Sequence, residues 1–221
     1  MGDYELMKIA FCIPGNTFSG WFLQNWTRLI QDLPKEIEWK LFRNYHPIVF
    51  TVRDKLVKDV KRYEKDFNTT FDYYMWIDSD INFFPQDFYT LLDTVKDNPQ
   101  KYSIISGLYT FSDAPTMMKK FGEVSFTAHH GTEQRWITSE DITPNNTEPM
   151  LCSGNGMGWM LVKGEVFNKI EKPFKYQEPF GEDMIFQKQA RDLGYSSYVH
   201  PKVIVGHEKM VILKGKDVFD H

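Results

Sequence analysis

The sequence predicts an α/β protein, a mixed sheet flanked by helices within a single domain. Three observations carry this. Strand-like and helix-like patterns alternate along the first half of the chain. The clearest strand-like runs, Lys8–Ile13 and Phe71–Ile77, are short and apolar almost throughout, as strands covered on both faces must be. The 221 residues, 42% of them hydrophobic, are enough for one substantial core and too few for two large domains.

Each element has a local cause. Lys8–Ile13 is stopped by Pro14-Gly15, a turn pair. Ser19 can cap a helix carrying Trp21, Phe22, Leu23, Trp26, Leu29 and Ile30 at roughly helical spacing, and Pro34 ends it. Ile37–Phe42 reads as a second strand, and Phe50–Phe67 as a helix with Val52, Leu56, Val57, Val60 and Tyr63 on one side. Phe71–Ile77 runs into Asp78-Ser79-Asp80, after which Pro85 opens a helix through Val95. Tyr102–Leu108 is a fourth strand. The first half therefore predicts a parallel arrangement with crossover helices.

The second half is less regular. The span Thr116–Ile137 suggests hairpin strands, Ser139–Pro149 a polar, mobile loop, and Gly154–Gly158 a glycine-rich turn before the strand Trp159–Val162. Short and longer helices are expected at Gly164–Ile170 and Glu182–Leu193, then a strand at Tyr195–His200 and a segment Val203–Val205 leading to His207.

Composition excludes several functions. The net charge is −4 and the charges are interleaved, so there is no basic face for nucleic acid. No apolar run approaches the ~20 residues needed to span a bilayer, and the start lacks a signal-peptide pattern. This predicts a cytosolic enzyme or a domain of a longer protein, in which the sequons at Asn25, Asn68 and Asn145 are chance matches. Cys12 and Cys152 are far apart, and a chain of this size needs no disulfide.

Several groups of residues carry chemistry. Just past a strand, residues i and i+2 point roughly the same way, so Asp78 and Asp80 can face one hard cation. A divalent cation bridging diphosphate oxygens makes that group a better leaving group. The plainer reading is a helix-capping turn. The buried strand before the triplet and the helix after it favour a ligand site, since α/β sheets bind ligands at the carboxyl ends of their strands.

Gly181-Glu182-Asp183 opens a helix, where carboxylates are favoured by the dipole and can be simple caps. Such a carboxylate can also take the proton of an acceptor hydroxyl attacking a sugar's anomeric carbon. His207 follows a strand, and imidazole beside carboxylates suits Mn²⁺ better than Mg²⁺. A half-buried structural His is the alternative, and His200 competes for the role. The glycines at 154–158 allow close approach of a ligand, or only a tight turn. Arg53, beside Asp54, is either a forked phosphate ligand or half of a surface ion pair. His129-His130 reads as a surface turn.

In order and spacing these pieces resemble the glycosyltransferases of the GT-A fold, the family 2-like and the viral or bacterial nucleotide-sugar-dependent enzymes. The matching pieces are Ile9–Pro14, Val52–Val57, Trp76–Ile81, Ser106–Tyr109, Gly158–Val162, Gly181–Phe186 and His207. The resemblance implies a Rossmann-like nucleotide-binding half (1–110) and an acceptor half (111–221). It implies a metal site of Asp78, Asp80 and His207 holding Mn²⁺ or Mg²⁺. Asp80 is the preferred direct ligand and Asp78 lies nearer the ribose, with Ser79 a spacer between them. Pro14, Gly15 and Asn16 would lie near the nucleotide base, Arg53 would face the nucleotide or diphosphate, and Gly156 and Trp159 would border sugar and acceptor. Asp183 would be the general base, with Glu182 beside it.

The implied activity is metal-dependent transfer of a sugar from a nucleotide-diphosphate sugar, UDP-sugars being favoured, to a hydroxyl of a glycan or other acceptor, with inversion. A retaining enzyme with the same donor site stays open. So does a nucleotidyltransferase, disfavoured because the loop at 14–20 holds no Lys or Arg. A non-catalytic carbohydrate-binding protein would not need both acidic pairs. No motif in 111–150 names the acceptor.

Overall fold

The computed structural model describes residues 6–110, 125–131, 135–175 and 181–209. Strand β1 (Met7–Pro14) lies between β2 (Ile37–Asn44) and β3 (Tyr73–Ile77) and is parallel to both. Helices α1 (Gly20–Gln31) and α2 (Val49–Asp66) make the crossovers. After β3 come the short β4 (Ile81–Asn82), α3 (Pro85–Asp97) and β5 (Ile104–Leu108).

The second half adds β6 (Ser125–His130), β7 (Trp136–Thr138), β8 (Met150–Asn155) and β9 (Trp159–Lys163). Helices α4 (Gly164–Lys169) and α5 (Glu182–Asp192) follow, then β10 (Ser197–Ile204) and β11 (Gly206–His207). The main sheet runs β2-β1-β3-β9-β5-β10-β8-β6-β7, and β11 pairs separately with β4. Strand β9 enters between β3 and β5 antiparallel to both, so the sheet is mixed and the purely parallel run ends at β3.

The alternation of side chains along the central strands builds two cores. In β1, Ile9, Phe11 and Ile13 face a cluster completed by Phe22 and Leu29 of α1 and by Phe88 and Leu91 of α3. Ala10 and Cys12 face the opposite cluster, with Val52, Leu56 and Val60 of α2, Phe167 of α4 and Phe186 of α5. Strand β3 divides the same way, which is why its sequence is a continuous apolar run. A third, smaller cluster lies under β5–β8 and β10.

Helix α1 is capped by the Ser19 hydroxyl, which accepts from the Phe22 amide at 3.0 Å. Its apolar stripe is narrower than its composition suggests, because Trp21 and Leu23 point to solvent. Asn25 of the Asn-Trp-Thr match is fully buried, and Cys12 and Cys152 are free and buried. The start of the expected hairpin at Thr116 lies outside the described residues, and β6 and β7 form its later part. The 139–149 segment is tied down where it begins: Asp141 takes a forked pair of hydrogen bonds from Arg135, both at 2.7 Å. No helix among the described residues is long and apolar enough to cross a membrane.

Candidate active site

The carboxyl ends of β1, β2 and β3 open onto one edge of the sheet, and Asp78-Ser79-Asp80 leaves β3 at that edge. The triplet is a turn: the Ile81 amide donates to the Asp78 carbonyl at 3.1 Å, and the Asp78 amide donates to the Gly158 carbonyl at 2.9 Å. Gly15 packs directly on it. Its φ is +144°, and an added Cβ would stand 2.4 Å from the Ser79 side chain. Only glycine meets both demands, so Ser79 seats the β1 loop as well as separating two aspartates.

An open cleft of about 230 Å³ lies here. Its walls are Pro14 and Gly15 after β1, Tyr45, His46 and Pro47 after β2, and Asp78–Asp80 after β3. Asn16 is exposed and is not among the lining residues. Sequence reasoning missed Tyr45-His46-Pro47. Their signal was position, a Tyr-His pair at the carboxyl end of a parallel strand. The His46 Nδ1 accepts from the Ile48 amide at 3.1 Å, which leaves Nε2 as the ring's donor.

Arg53 is neither a surface ion pair nor a group facing the cleft. It is 3% exposed on the buried side of α2. Its Nη2 donates to Asp78 Oδ2 at 3.0 Å, its Nε to Glu182 Oε1 at 3.1 Å and its Nη1 to the Met157 carbonyl at 3.4 Å, and the guanidinium lies 5.8 Å from the Trp76 ring centre. Burial works against its charge, and Asp78, Glu182 and Asp183 outweigh that and raise its pKa. One guanidinium thus joins the triplet to the first turn of α5.

The carboxylates it joins differ. Burial lifts the Asp78 carboxyl above the usual range against the pull of Arg53, and Asp78 Oδ1 is buried without a hydrogen-bond partner. Arg53 takes Oδ2, so Oδ1 is the Asp78 oxygen left without a protein partner. Asp183 rises to about 6, first through burial and then through its neighbour Glu182, although its Oδ1 accepts from the Met184 amide at 2.7 Å. Glu182 is committed to Arg53.

Strand β11 carries the chain's later residues to the triplet by pairing with β4, His207 opposite Ile81. His207 Nε2 lies 3.2 Å from Asp80 Oδ2, and Lys209 Nζ lies 2.6 Å from the same oxygen. Burial alone would raise the Asp80 carboxyl, but these hydrogen bonds and charges hold it at about 2. His200, the competing candidate, is buried in β10, where its Nδ1 accepts from the Lys202 amide.

The chemistry of this pair fits a divalent cation. His207 Nδ1 lies 2.8 Å from the Thr110 carbonyl, which can only accept, so Nδ1 carries a proton. In the neutral ring Nε2 is then a bare lone pair facing a carboxylate oxygen, an arrangement that calls for a proton or a cation between them. A ring N–H fixed by a backbone carbonyl is the usual support of a ligating histidine. Among the described residues, no group of three or more His, Cys, Asp or Glu is placed to hold a metal ion. Asp80 and His207 could supply two ligands to such an ion.

Gly156 and Trp159 are not among the walls of that cleft. A Cβ on Gly156 would stand 2.1 Å from the Tyr109 hydroxyl, so this glycine admits Tyr109, which accepts from the Gly158 amide at 2.8 Å. Trp159 begins a central strand, is fully buried, and packs on Phe83 at 4.6 Å between ring centres. It does not border the cleft. His129, at the end of β6, lies 3.8 Å from the Trp136 ring.

A mixed sheet between helix layers, with an acidic turn at the carboxyl edge of its parallel strands, is a Rossmann-like architecture of the GT-A kind. No protein-family model and no curated protein sequence matches the chain at a significant level. Solved structures do resemble it. A197 from STIV matches with a TM-score of 0.56 and 15% identity over 94% of this chain and 97% of that one. GalNAc-T7, solved with UDP, GalNAc and Mn²⁺, matches with a TM-score of 0.58 and 12% identity over 95% of this chain. This chain spans 45% of the GalNAc-T7 chain. CMP:2-keto-3-deoxy-manno-octonic acid synthetase aligns more loosely, with a TM-score of 0.45. At these identities the likeness concerns the fold.

Proposed function

We propose that the chain is a cation-dependent glycosyltransferase. It would bind a nucleotide-diphosphate sugar, UDP-sugars first, through its first half (1–110) and the acceptor through its second (111–221). The observation that carries this is the double engagement of Arg53: it meets Asp78 at 3.0 Å and Glu182 at 3.1 Å, so the donor-side triplet and the residue next to the candidate base Asp183 stand on either side of one guanidinium.

In this reading the cleft takes the nucleotide. Tyr45 offers the base an aromatic face, Pro14 and Gly15 offer backbone, and Asp78, held by Arg53, faces the ribose. Asp80 and His207 would hold Mn²⁺ or Mg²⁺, which would neutralise charge on the departing diphosphate. Asp183 takes the acceptor's proton: a carboxyl at about 6 is ionised at neutral pH yet holds a proton better than an ordinary aspartate. A base on the acceptor side, opposite the leaving group, gives inversion. Glu182, occupied by Arg53, keeps Asp183 raised.

A thermal-shift screen of nucleoside diphosphates and nucleotide-sugars with Mn²⁺ tests the donor half. A nucleotide at about 100 times its Kd adds about 2.7 kcal/mol, which in a chain of this size raises Tm by roughly 5 °C or more. The expected result is such a rise with UDP or a UDP-sugar in the presence of Mn²⁺. A rise with glycans and none with any nucleotide contradicts the transferase reading and favours a carbohydrate-binding protein.

A further inference from the structure

The Asp80 carboxylate carries one contact that a cation site does not need. Lys209 Nζ sits 2.6 Å from Oδ2, the same oxygen that His207 Nε2 approaches at 3.2 Å. A carboxylate oxygen offers about two lone-pair directions; Lys209 takes one of them, and His207 Nε2 stands in front of the other. A divalent cation on that oxygen needs one of them, at about 2.1 Å for Mg²⁺. An ammonium on that same oxygen is repelled by it, because the two are like charges sharing one acceptor.

We propose that Lys209 is an exchangeable counter-cation of this site: it holds the Asp80 oxygen until a divalent cation takes it, and so sets the site's cation affinity. The proposal rests on the reading of Asp80 and His207 as cation ligands.

The surroundings allow the exchange. Side-chain exposure is 35% for Lys209 and 42% for Asp80, against 16% for His207. The lysine can therefore swing into water while the imidazole stays. The backbone that carries it is anchored without it. Gly206 and His207 pair with β4, the Glu208 amide donates to the Asp80 carbonyl at 2.7 Å, and the Glu208 carboxylate accepts from the Ser19 hydroxyl at 2.7 Å. Ser19 also caps α1, so the strap is tied to a helix terminus. Loss of the Lys209 contact leaves His207 where it is and removes only the competing charge. The released ammonium stays on a strap beside the cleft and becomes a cation available to the donor's diphosphate.

The test is a titration of the full chain with Mn²⁺ alone, reading free Mn²⁺ by its EPR signal, on the wild type and on Lys209→Met, Lys209→Arg and Asp80→Asn. The expected result is Mn²⁺ binding about tenfold tighter in Lys209→Met, the effect of removing one partly exposed ion pair and the repulsion behind it. Lys209→Arg, which keeps the charge, stays near wild type, and Asp80→Asn loses the site. If Asp80→Asn loses Mn²⁺ and Lys209→Met binds it no more tightly than wild type, the counter-cation role is overturned and the metal site stands. If Asp80→Asn binds Mn²⁺ as well as wild type, or if neither wild type nor Lys209→Met binds it, the metal site itself is overturned.

Discussion

Replacing Arg53 with methionine will destabilise the fold by about 3–5 kcal/mol, the effect of removing one partner from a buried ion pair. Arg53 is 3% exposed and serves two carboxylates at once. Methionine fills much of the volume on α2 and leaves Asp78 and Glu182 facing each other with no cation between them. The loss will depend on pH. Burial already raises Asp78 with Arg53 present, and without it the folded-state value rises further. A carboxyl raised in the folded state costs nothing below its unfolded value, about 3.9 for Asp, and the full penalty above its folded value. The deficit will therefore be smaller at pH 5 than at pH 8. Lysine at position 53 will restore little, because one ammonium cannot serve both carboxylates in the forked geometry. Denaturant melts at the two pH values measure this. A loss below about 1 kcal/mol at pH 8 would mean that Arg53 is a solvated pair after all.

Replacing Asp183 with asparagine will lower kcat by about 10²–10⁴-fold while leaving nucleotide affinity nearly intact, the range expected for a lost general base. The neighbouring carboxylate cannot substitute, because Glu182 Oε1 is held by Arg53. The pH profile gives a second reading of the same group. With Asp183 at about 6, kcat/KM of the wild type will rise with pH through about 6 and level off above it, since the base works only when ionised. Asp183→Asn will lack that limb. Turnover within about tenfold of wild type, with the limb retained, would move the base elsewhere.

Much of the architecture could be read from local rules. Pro85 begins α3 and Ser19 caps α1, and both strand runs that read as buried on two faces are central strands. Strand β9 was harder. Nothing in Trp159–Val162 says that it enters between β3 and β5 and runs against them, because register and direction belong to the partners. That placement buries Trp159, which the resemblance set beside sugar and acceptor.

The site was legible in part. A strand-end Asp pair and a helix-start Glu-Asp pair are local patterns: the first stands just past the end of β3 and the second in the first turn of α5. Arg53 had a signal that went unused. It precedes Leu56, Val57 and Val60 by three, four and seven residues, so it lies on the apolar stripe of α2 and had to be buried with partners. Lys209 had none, because its contact with Asp80 depends on the two-residue pairing of β11 with β4.

The most direct test of cation-dependent sugar transfer is release of nucleoside diphosphate from a nucleotide-sugar by the wild-type chain, measured with Mn²⁺ and again in excess chelator. Release with Mn²⁺ will fall to background in chelator and return when Mn²⁺ is restored. An undiminished rate in chelator, or no release from any nucleotide-sugar with Mn²⁺ present, would contradict it.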